Sequence, residues 1–425
     1  MSESRGAAAE AGVGRRTLLK GGLLGGAGAL TLAGGVASGT SAGQASTTVG
    51  GAGSAGSVSG ILPTGDAPSP VGHLVEPFHG AHQAGIATVP QSHAVFVALD
   101  LDEGVGVTEL GRLMRVWTDD IARLASGRAP VTDQEPELAA RPAGLTVTVG
   151  WGAGLFGRLG TEHLRPRWLA PLPPLPIDDL DGRFGEADLL LQIGAHSPVT
   201  LAHARRHLVG AARGIASPRW LQPGFREPME RDGWSLRNQF GQVDGTVQPD
   251  VDGVDAGLLW IDAHGQPAWE GGSSLVLRRI RMDLAGWERA DRVAREHAVG
   301  RDLATGAPLT GGEVATPVDL HAVLPGGLPV VDRDAHARRA GPHAPHQRFL
   351  RRPYTYEEVS ADGTVETGLL FAAYQADPLR QFLPVQRRLA EADLLNLWTT
   401  PVGSAVFALL PGCPEGGWLG QHLLA

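Results

Sequence analysis

Two stretches of this 425-residue chain match one another in kind, Asp188-Leu-Leu-Leu-Gln-Ile-Gly-Ala-His-Ser-Pro198 and Gly368-Leu-Leu-Phe-Ala-Ala-Tyr-Gln-Ala-Asp-Pro378. Each reads as a buried apolar strand closing in a helix cap. Ser197 and Asp377 each carry an oxygen that can accept from exposed first-turn N–H groups, and Pro198 and Pro378 fit the first helical position, where no N–H is needed. Each predicted helix then carries an Arg-Arg pair, Arg205-Arg206 and Arg387-Arg388. Strand, cap, proline and helix in the same order twice point to two copies of one α+β module. Strands alternating with helices, in numbers that suit a four-stranded sheet, fit a split β-α-β arrangement. The expected fold is therefore α+β, with two ferredoxin-like domains, each a four-stranded antiparallel sheet with helices. The boundary falls near Leu221 to Asp232, which gives domains over 75–225 and 226–425.

Local patterns fill in the modules. Val95 to Leu101 reads as a buried strand, and Leu110, Leu113, Met114, Trp117, Ile121 and Leu124 then recur at helical spacing. Leu145 to Val149 alternates with period two and runs into the glycine loop Gly150-Trp-Gly-Ala-Gly154. In the second module the patterns predict strand 274–284, helix 286–298, strands near 349–357 and 367–374, helix 378–397 and strand 403–410. Between its first helix and its later strands lies a His/Arg/Pro-rich loop, 300–348, and a loop of that length inside a compact domain is usually functional.

The N-terminus reads as a removable address. Gly14-Arg15-Arg16-Thr17-Leu18-Leu19-Lys20 precedes a glycine-diluted apolar run from Gly21 to Val36, shorter and less apolar than a stable membrane span. Residues 1–42 are expected to be a twin-arginine signal peptide, cleaved near Thr40 to Ala42, and 43–74 a flexible low-complexity linker. The Tat export machinery would then be a partner, and the destination extracellular or periplasmic, within the cell envelope.

Composition limits the chemistry. The chain is formally −9, and the four cations and two acids of residues 1–42 leave the remainder near −11, a balance that disfavours nucleic acid. Cys413 is the only cysteine, which excludes an internal disulfide, a Cys-rich zinc site, an iron–sulfur cluster and the double thioether attachment of c-type haem. Any cofactor must be held without cysteine.

Three stretches of the second half could carry chemistry. Phe240-Gly-Gln-Val-Asp244-Gly-Thr-Val-Gln-Pro249 sets an acid between glycines, where a bulky ligand can approach the backbone, although an ordinary Asp-Gly turn reads the same way. Asp332-Arg-Asp-Ala-His336-Ala-Arg-Arg-Ala-Gly-Pro-His343-Ala-Pro-His346 is a histidine cluster among arginines, suited to a metal or to bound carboxylates. Arg348-Phe-Leu-Arg351-Arg352-Pro-Tyr354-Thr-Tyr356 offers cations that by default are solvated.

Taken together with Phe78-His-Gly-Ala-His-Gln-Ala-Gly-Ile86, Thr146 to Gly152, Gly300-Arg301-Asp302 and Thr305-Gly-Ala-Pro-Leu309, these segments make the chain resemble the dye-decolourising peroxidases, in their Tat-exported, iron-transport-associated (deferrochelatase/peroxidase) branch. The likeness runs from about Phe78 to Leu424. It implies one non-covalent haem b in the C-terminal domain, with His336 as proximal iron ligand and Asp244 and Arg351 on the peroxide-binding face. Arg301 would pair with a propionate, and Gly245, Thr246, Val247, Gly341, Pro342 and His343 would line the haem, Arg351 also touching it. The chain departs from the family pattern where Thr-Val-Gln-Pro replaces the frequent Thr-Ala-Asn-Pro, and where Gly341 and His343 replace Asn and Arg.

The resemblance implies reduction of hydrogen peroxide through a ferryl intermediate and one-electron oxidation of dyes, phenolics or similar donors. A carboxylate can shuttle the peroxide proton, and a guanidinium can stabilise the departing oxygen; Arg352 is the second choice for the latter role. Since a carboxylate stays ionised well below neutrality, activity is expected to peak at acid pH. Asp377 could orient His336 or simply cap a helix, with capping the better reading. Large dyes would be oxidised at Tyr354, Tyr356 or a surface Trp, or these residues only pack. Two other functions compete: a deferrochelatase that releases iron from haem, with iron-uptake proteins as partners, and an exported zinc or copper protein using His73, His79 and His82 or His336, His343 and His346. A homo-oligomer stays open.

Overall fold

The computed structural model describes residues 70–424 except 228–235, 246 and 265. The 1–42 leader, the linker up to residue 69, and Thr246 lie outside the described residues. Residues 70–74, which composition places in the linker, instead form the 3-10 turn Pro70–His73, and the carbonyls of Gly72 and Leu74 accept from Ala143 and Gly144. Those two bonds and the fixed φ of Pro70 outweigh the low-complexity surroundings.

Among the described residues nine strands form the sheet: β1 (His93–Leu101), β2 (Thr146–Gly152), β3 (Leu189–Ala195), β4 (Ala216–Phe225), β5 (Ser273–Met282), β6 (Leu350–Arg351), β7 (Tyr354–Val359), β8 (Val365–Gln375) and β9 (Thr399–Leu409). In the first half β1 is central, pairing with β3 and β4, while β2 pairs with β3. In the second half β5 takes the same place, pairing with β8 and β9, while β7 pairs with β8. All of these pairs are antiparallel, and the identical plan in both halves is the ferredoxin-like arrangement that the repeat predicts. Two seams join the halves. At one, Gly150–Gly152 of β2 pair with Phe407–Leu409 of β9; at the other, Phe225 of β4 pairs with Thr355 of β7. The ladder therefore closes on itself.

Closure creates an inside and an outside. Phe96, Leu190, Leu277, Tyr354, Tyr356, Leu370, Tyr374 and Phe407 pack on one face of the strands, and the alternate residues Val95, Val97, Leu191, Ile193 and Val406 pack on the other, under helices Val107–Ala125 and Pro198–Ala211. Polar links cross the interior: Tyr374 donates to Gln192, and Arg279 to Gln222. Arg279 also lies over the rings of Phe184 and Tyr356, at 4.0 and 4.2 Å.

Side chains finish the ladder where strands stop. Past Gly152 the chain turns into helix Ala153–Leu159, and both carboxylate oxygens of Glu186 accept from the N–H of Val406, at 3.1 and 3.2 Å. Burial pushes the Glu186 carboxyl up to about 7, against the pull of that N–H and of Arg219. An acid whose pKa rises on folding holds more protons in the native state, so its contribution to stability is full below the unfolded value and falls as pH climbs through the folded one. Glu186→Gln is expected to leave the unfolding free energy unchanged at pH 4 and raise it by about 3 kcal/mol at pH 8. Equal shifts at both pH values in urea unfolding would overturn this.

The second half differs from its sequence pattern in three places. Helix 286–298 is two pieces, Leu284–Arg289 and Arg292–Val299, because the Asp291 carboxylate accepts from Ala294 N and opens a new first turn. Strand 349–357 is interrupted between β6 and β7 at Arg352-Pro353, where proline lacks the ladder N–H. The helix expected over 378–397 spans Phe382–Ala392 only, so Pro378 sits in a preceding turn rather than at the first helical position. Asp377 caps that turn, accepting from Leu379 N at 2.9 Å and Arg380 N at 3.2 Å.

Candidate active site

A third apolar cluster sits beside the closed sheet and gathers the loops that carry the chemistry. It contains Phe240, Met282, Trp287, Ala298, Val299, Leu303 and Leu395. Phe240 stacks on Trp287 at 4.4 Å, and the Trp287 indole N–H donates to Phe240 O at 3.1 Å. Phe240 precedes Asp244, Leu303 follows Arg301, and Leu395 follows Asp393. One packing event thus draws three distant segments together.

His336 opens the short helix His336–Arg339. Against it packs the turn at Gly300, whose φ of +83° suits glycine and whose added Cβ would lie 3.2 Å from the Ala337 Cβ. The His336 Nδ1 meets Asp393 Oδ2 at 2.6 Å, with the imidazole 35% exposed and the carboxylate only 4%. Burial lowers the pKa of His336, but the Asp393 charge and hydrogen bond outweigh it, and the net shift is upward. More weakly, Arg351 opposes and Asp244 favours the cation, so both charges are felt at His336. No hydrogen bond engages Nε2 among the described residues, which leaves that nitrogen able to bind a metal centre.

The other side chains arrive from separate segments. Gly245 N donates to Asp244 Oδ1 at 2.6 Å, and no described residue donates to Oδ2. Arg301 is 9% exposed and has no carboxylate partner among the described residues, its Nη1 donating to the carbonyls of Gly306 and Val314 at 2.8 and 3.0 Å. Burial, and then the charge of Arg351, lower its pKa, as expected for a cation lacking an anion. Arg351 donates through Nη2 to Val247 O at 2.8 Å. Val247 is 54% exposed, Gly245 has a φ of +73°, and among the described residues beyond its chain neighbours its added Cβ would meet only Gln248 Nε2, at 3.7 Å. A carboxylate-backed imidazole, an unpaired buried guanidinium and an open apolar edge fit a haem, with propionate on the guanidinium.

Several alternatives are resolved. Asp377 is a cap, as the better reading has it, and the partner of His336 is Asp393, which the sequence did not single out. Arg352 is 2% exposed inside the sheet, bonded to Thr88 O, Gln91 Oε1 and Tyr354 Oη, and cannot replace Arg351. Gly341 accepts from Arg388 Nη2 at 2.7 Å, while Pro342 and His343 are exposed. Neither histidine set converges as a metal site: His82 Nδ1 contacts Gly271 O and its ring stacks on Trp260, and His79 faces Cys413. Among the described residues the one group of three ligand types is Asp133, Glu135 and His203, where Arg206 already pairs with Glu135. Tyr354 and Tyr356 are each 1% exposed and pack in the interior.

Asp393, Arg388 and Gln248 are absent from the sequence-derived site. The signal for Asp393 was its place before Leu-Leu-Asn, a turn-capping position hidden in a helical pattern; its Oδ1 accepts from Leu395 N at 3.0 Å.

Residues 83–226 match the family described as Dyp-type peroxidase, N-terminal, and residues 235–414 match Dyp-type peroxidase, C-terminal. A dye-decolorizing peroxidase of Thermobifida fusca is 38% identical over 364 residues, covering 81% of this chain and 84% of that protein. A deferrochelatase of Yersinia pseudotuberculosis is 34% identical over 373 residues, covering 82% and 85%. The crystal structure of a DyP-type peroxidase from Cellulomonas bogoriensis superposes with a TM-score of 0.81 at 50% identity, covering 84% of this chain and 99% of that one.

Proposed function

The chain belongs to the dye-decolourising peroxidase family, haem b enzymes that reduce hydrogen peroxide at the expense of electron donors, and within that activity we propose that His336 would bind the haem iron, Arg301 would pair with a propionate, and Asp244 with Arg351 would be the peroxide-handling pair. The observation that carries the assignment is the buried Asp393 carboxylate on His336 Nδ1, with Nε2 left unpartnered. Haem held by His336 and Arg301 would supply the two-electron chemistry with peroxide and the one-electron chemistry with donors. Asp393 holds the Nδ1 proton, fixing the tautomer in which Nε2 has a lone pair, and raises the donor strength of the ring. Asp244 Oδ2 takes a proton from one peroxide oxygen and delivers it to the other. The Arg351 guanidinium stabilises the charge that develops on the departing oxygen. Val247, Gly245, Gly341, Pro342 and His343 would complete the haem contacts.

The test is a visible-absorption titration of the protein with haemin. A Soret band saturating at one haem per chain is expected, with Arg301→Leu weakening binding about 10-fold through loss of the buried guanidinium. A wild type without a saturable Soret band would overturn the assignment.

Iron release from haem is a second reading, favoured by the deferrochelatase relative. Loss of iron with an intact porphyrin would support it; donor radicals without porphyrin change support peroxidase turnover alone. The Arg15-Arg16 leader supports export by the Tat machinery to the cell exterior or envelope, with iron-uptake proteins as companions and self-association as a further partnership. Cell fractionation decides the first of these: a protein confined to the cytosol would remove it.

A further inference from the structure

We propose that Gln248 is a positioning residue for the peroxide-handling arginine: its side-chain amide acts as the missing β-partner of Arg351 and sets where that guanidinium stands. The proposal rests on the reading of Arg351 given above. It comes from the unfinished second seam of the sheet. On one side β6 pairs with β8, Leu350 opposite Tyr374 and Arg351 opposite Ala373, and Arg352 N donates to Ala372 O at 2.9 Å. Because neighbouring residues of a strand direct their N–H and C=O to opposite sides, the backbone groups of Arg351 point away from β8. Among the described residues β4 ends at Phe225, opposite Thr355, and supplies no partner there. Gln248 fills the gap, with Nε2 donating to Arg351 O at 2.8 Å and Oε1 accepting from Arg351 N at 3.0 Å.

The same segment holds the other end of the side chain, since Arg351 Nη2 donates to Val247 O at 2.8 Å. Arg351 is gripped at N–H, C=O and guanidinium by two consecutive residues. Those residues begin three positions after Asp244, so the clamp and the proton carrier ride on one loop. Gln248 also precedes Pro249, which confines it to extended backbone and gives the amide a stiff base. An asparagine would be shorter by one methylene, about 1.5 Å, and could not reach both groups of Arg351.

The test is fluoride binding to the haem-loaded ferric protein, because bound fluoride reports whether a guanidinium stands over the iron to donate to it. Wild type, Gln248→Ala, Gln248→Asn, Gln248→Glu and Arg351→Leu are titrated with sodium fluoride and followed by absorption, alongside haem stoichiometry and thermal midpoint. Gln248→Ala and Gln248→Asn are expected to keep one haem and a wild-type midpoint while the fluoride Kd rises about 10-fold, with a larger rise for Arg351→Leu. Gln248→Glu, which can accept from Arg351 N but cannot donate to its carbonyl, falls between. If Arg351→Leu weakens fluoride and the Gln248 variants do not, the proposal is overturned alone. If Arg351→Leu leaves fluoride unchanged, the reading of Arg351 falls and the proposal with it. Should Gln248→Ala fail to load haem, Gln248→Asn supplies the same comparison with one methylene removed.

Discussion

His336→Ala is expected to lose saturable haemin binding at micromolar protein and to cut peroxide-dependent donor oxidation at least about 1,000-fold. An alanine leaves the iron without a protein ligand, and the remaining contacts assigned to the haem are the Arg301 and Arg351 guanidiniums, His343 and an apolar edge. Asp393→Asn separates ligation from tuning. The Asp393 oxygens have different tasks, Oδ1 accepting from Leu395 N and Oδ2 meeting His336 Nδ1. An asparagine has one acceptor and one donor end. If its oxygen keeps Leu395, its amide N–H faces Nδ1 and forces the ring proton onto Nε2, the nitrogen needed for iron. If its oxygen turns to His336, the N–H of Leu395 meets another donor. Either way haem affinity or turnover is expected to fall about 10- to 100-fold. The haem that does bind should have a reduction potential above the wild-type value, since the ring loses its anionic partner. A spectroelectrochemical titration checks this, and an unchanged potential with unchanged turnover would remove Asp393 from the site.

How far this site is legible in the sequence depends on the range of the contact. The repeat around Pro198 and Pro378 foretells a shared strand order because each copy is local, and the apolar alternation of β3 and β8 is written in consecutive residues. The ends of the second-half elements are decided by side chains elsewhere. The pattern favours a helix through residue 397, yet the chain breaks at Asp393, where one carboxylate both caps the turn Leu394–Leu397 and reaches His336, 57 positions earlier. Arg351 and Arg352 are equivalent as letters. Strand alternation sends one guanidinium toward Val247 and the other into the sheet interior, toward Thr88 and Gln91. Gln248 reads as a departure from a motif until the premature end of β4 shows which backbone groups it serves. The histidine clusters show the converse, since proximity in sequence gave them the look of a metal site that the fold does not assemble.

Asp244→Asn and Arg351→Leu are expected to be the most damaging substitutions that leave haem in place. The proton shuttle of Asp244 contributes by general acid–base catalysis, and its loss should slow peroxide consumption about 100- to 10,000-fold. The charge stabilisation of Arg351 should be worth about 100- to 1,000-fold. Both act on the same bond cleavage, where proton delivery and charge stabilisation relieve the same developing anion. The double variant should therefore be slower than the worse single variant by far less than the product of the two effects, as for residues that work as a unit. Stopped-flow measurement of the spectral change on mixing with peroxide isolates this step from donor oxidation. An effect confined to steady-state dye oxidation, with the peroxide step untouched, would place both residues at donor access instead. A strictly multiplicative double variant would mean that Asp244 and Arg351 act on different steps, and that the short loop joining Asp244 to the Arg351 clamp carries no coupling between them.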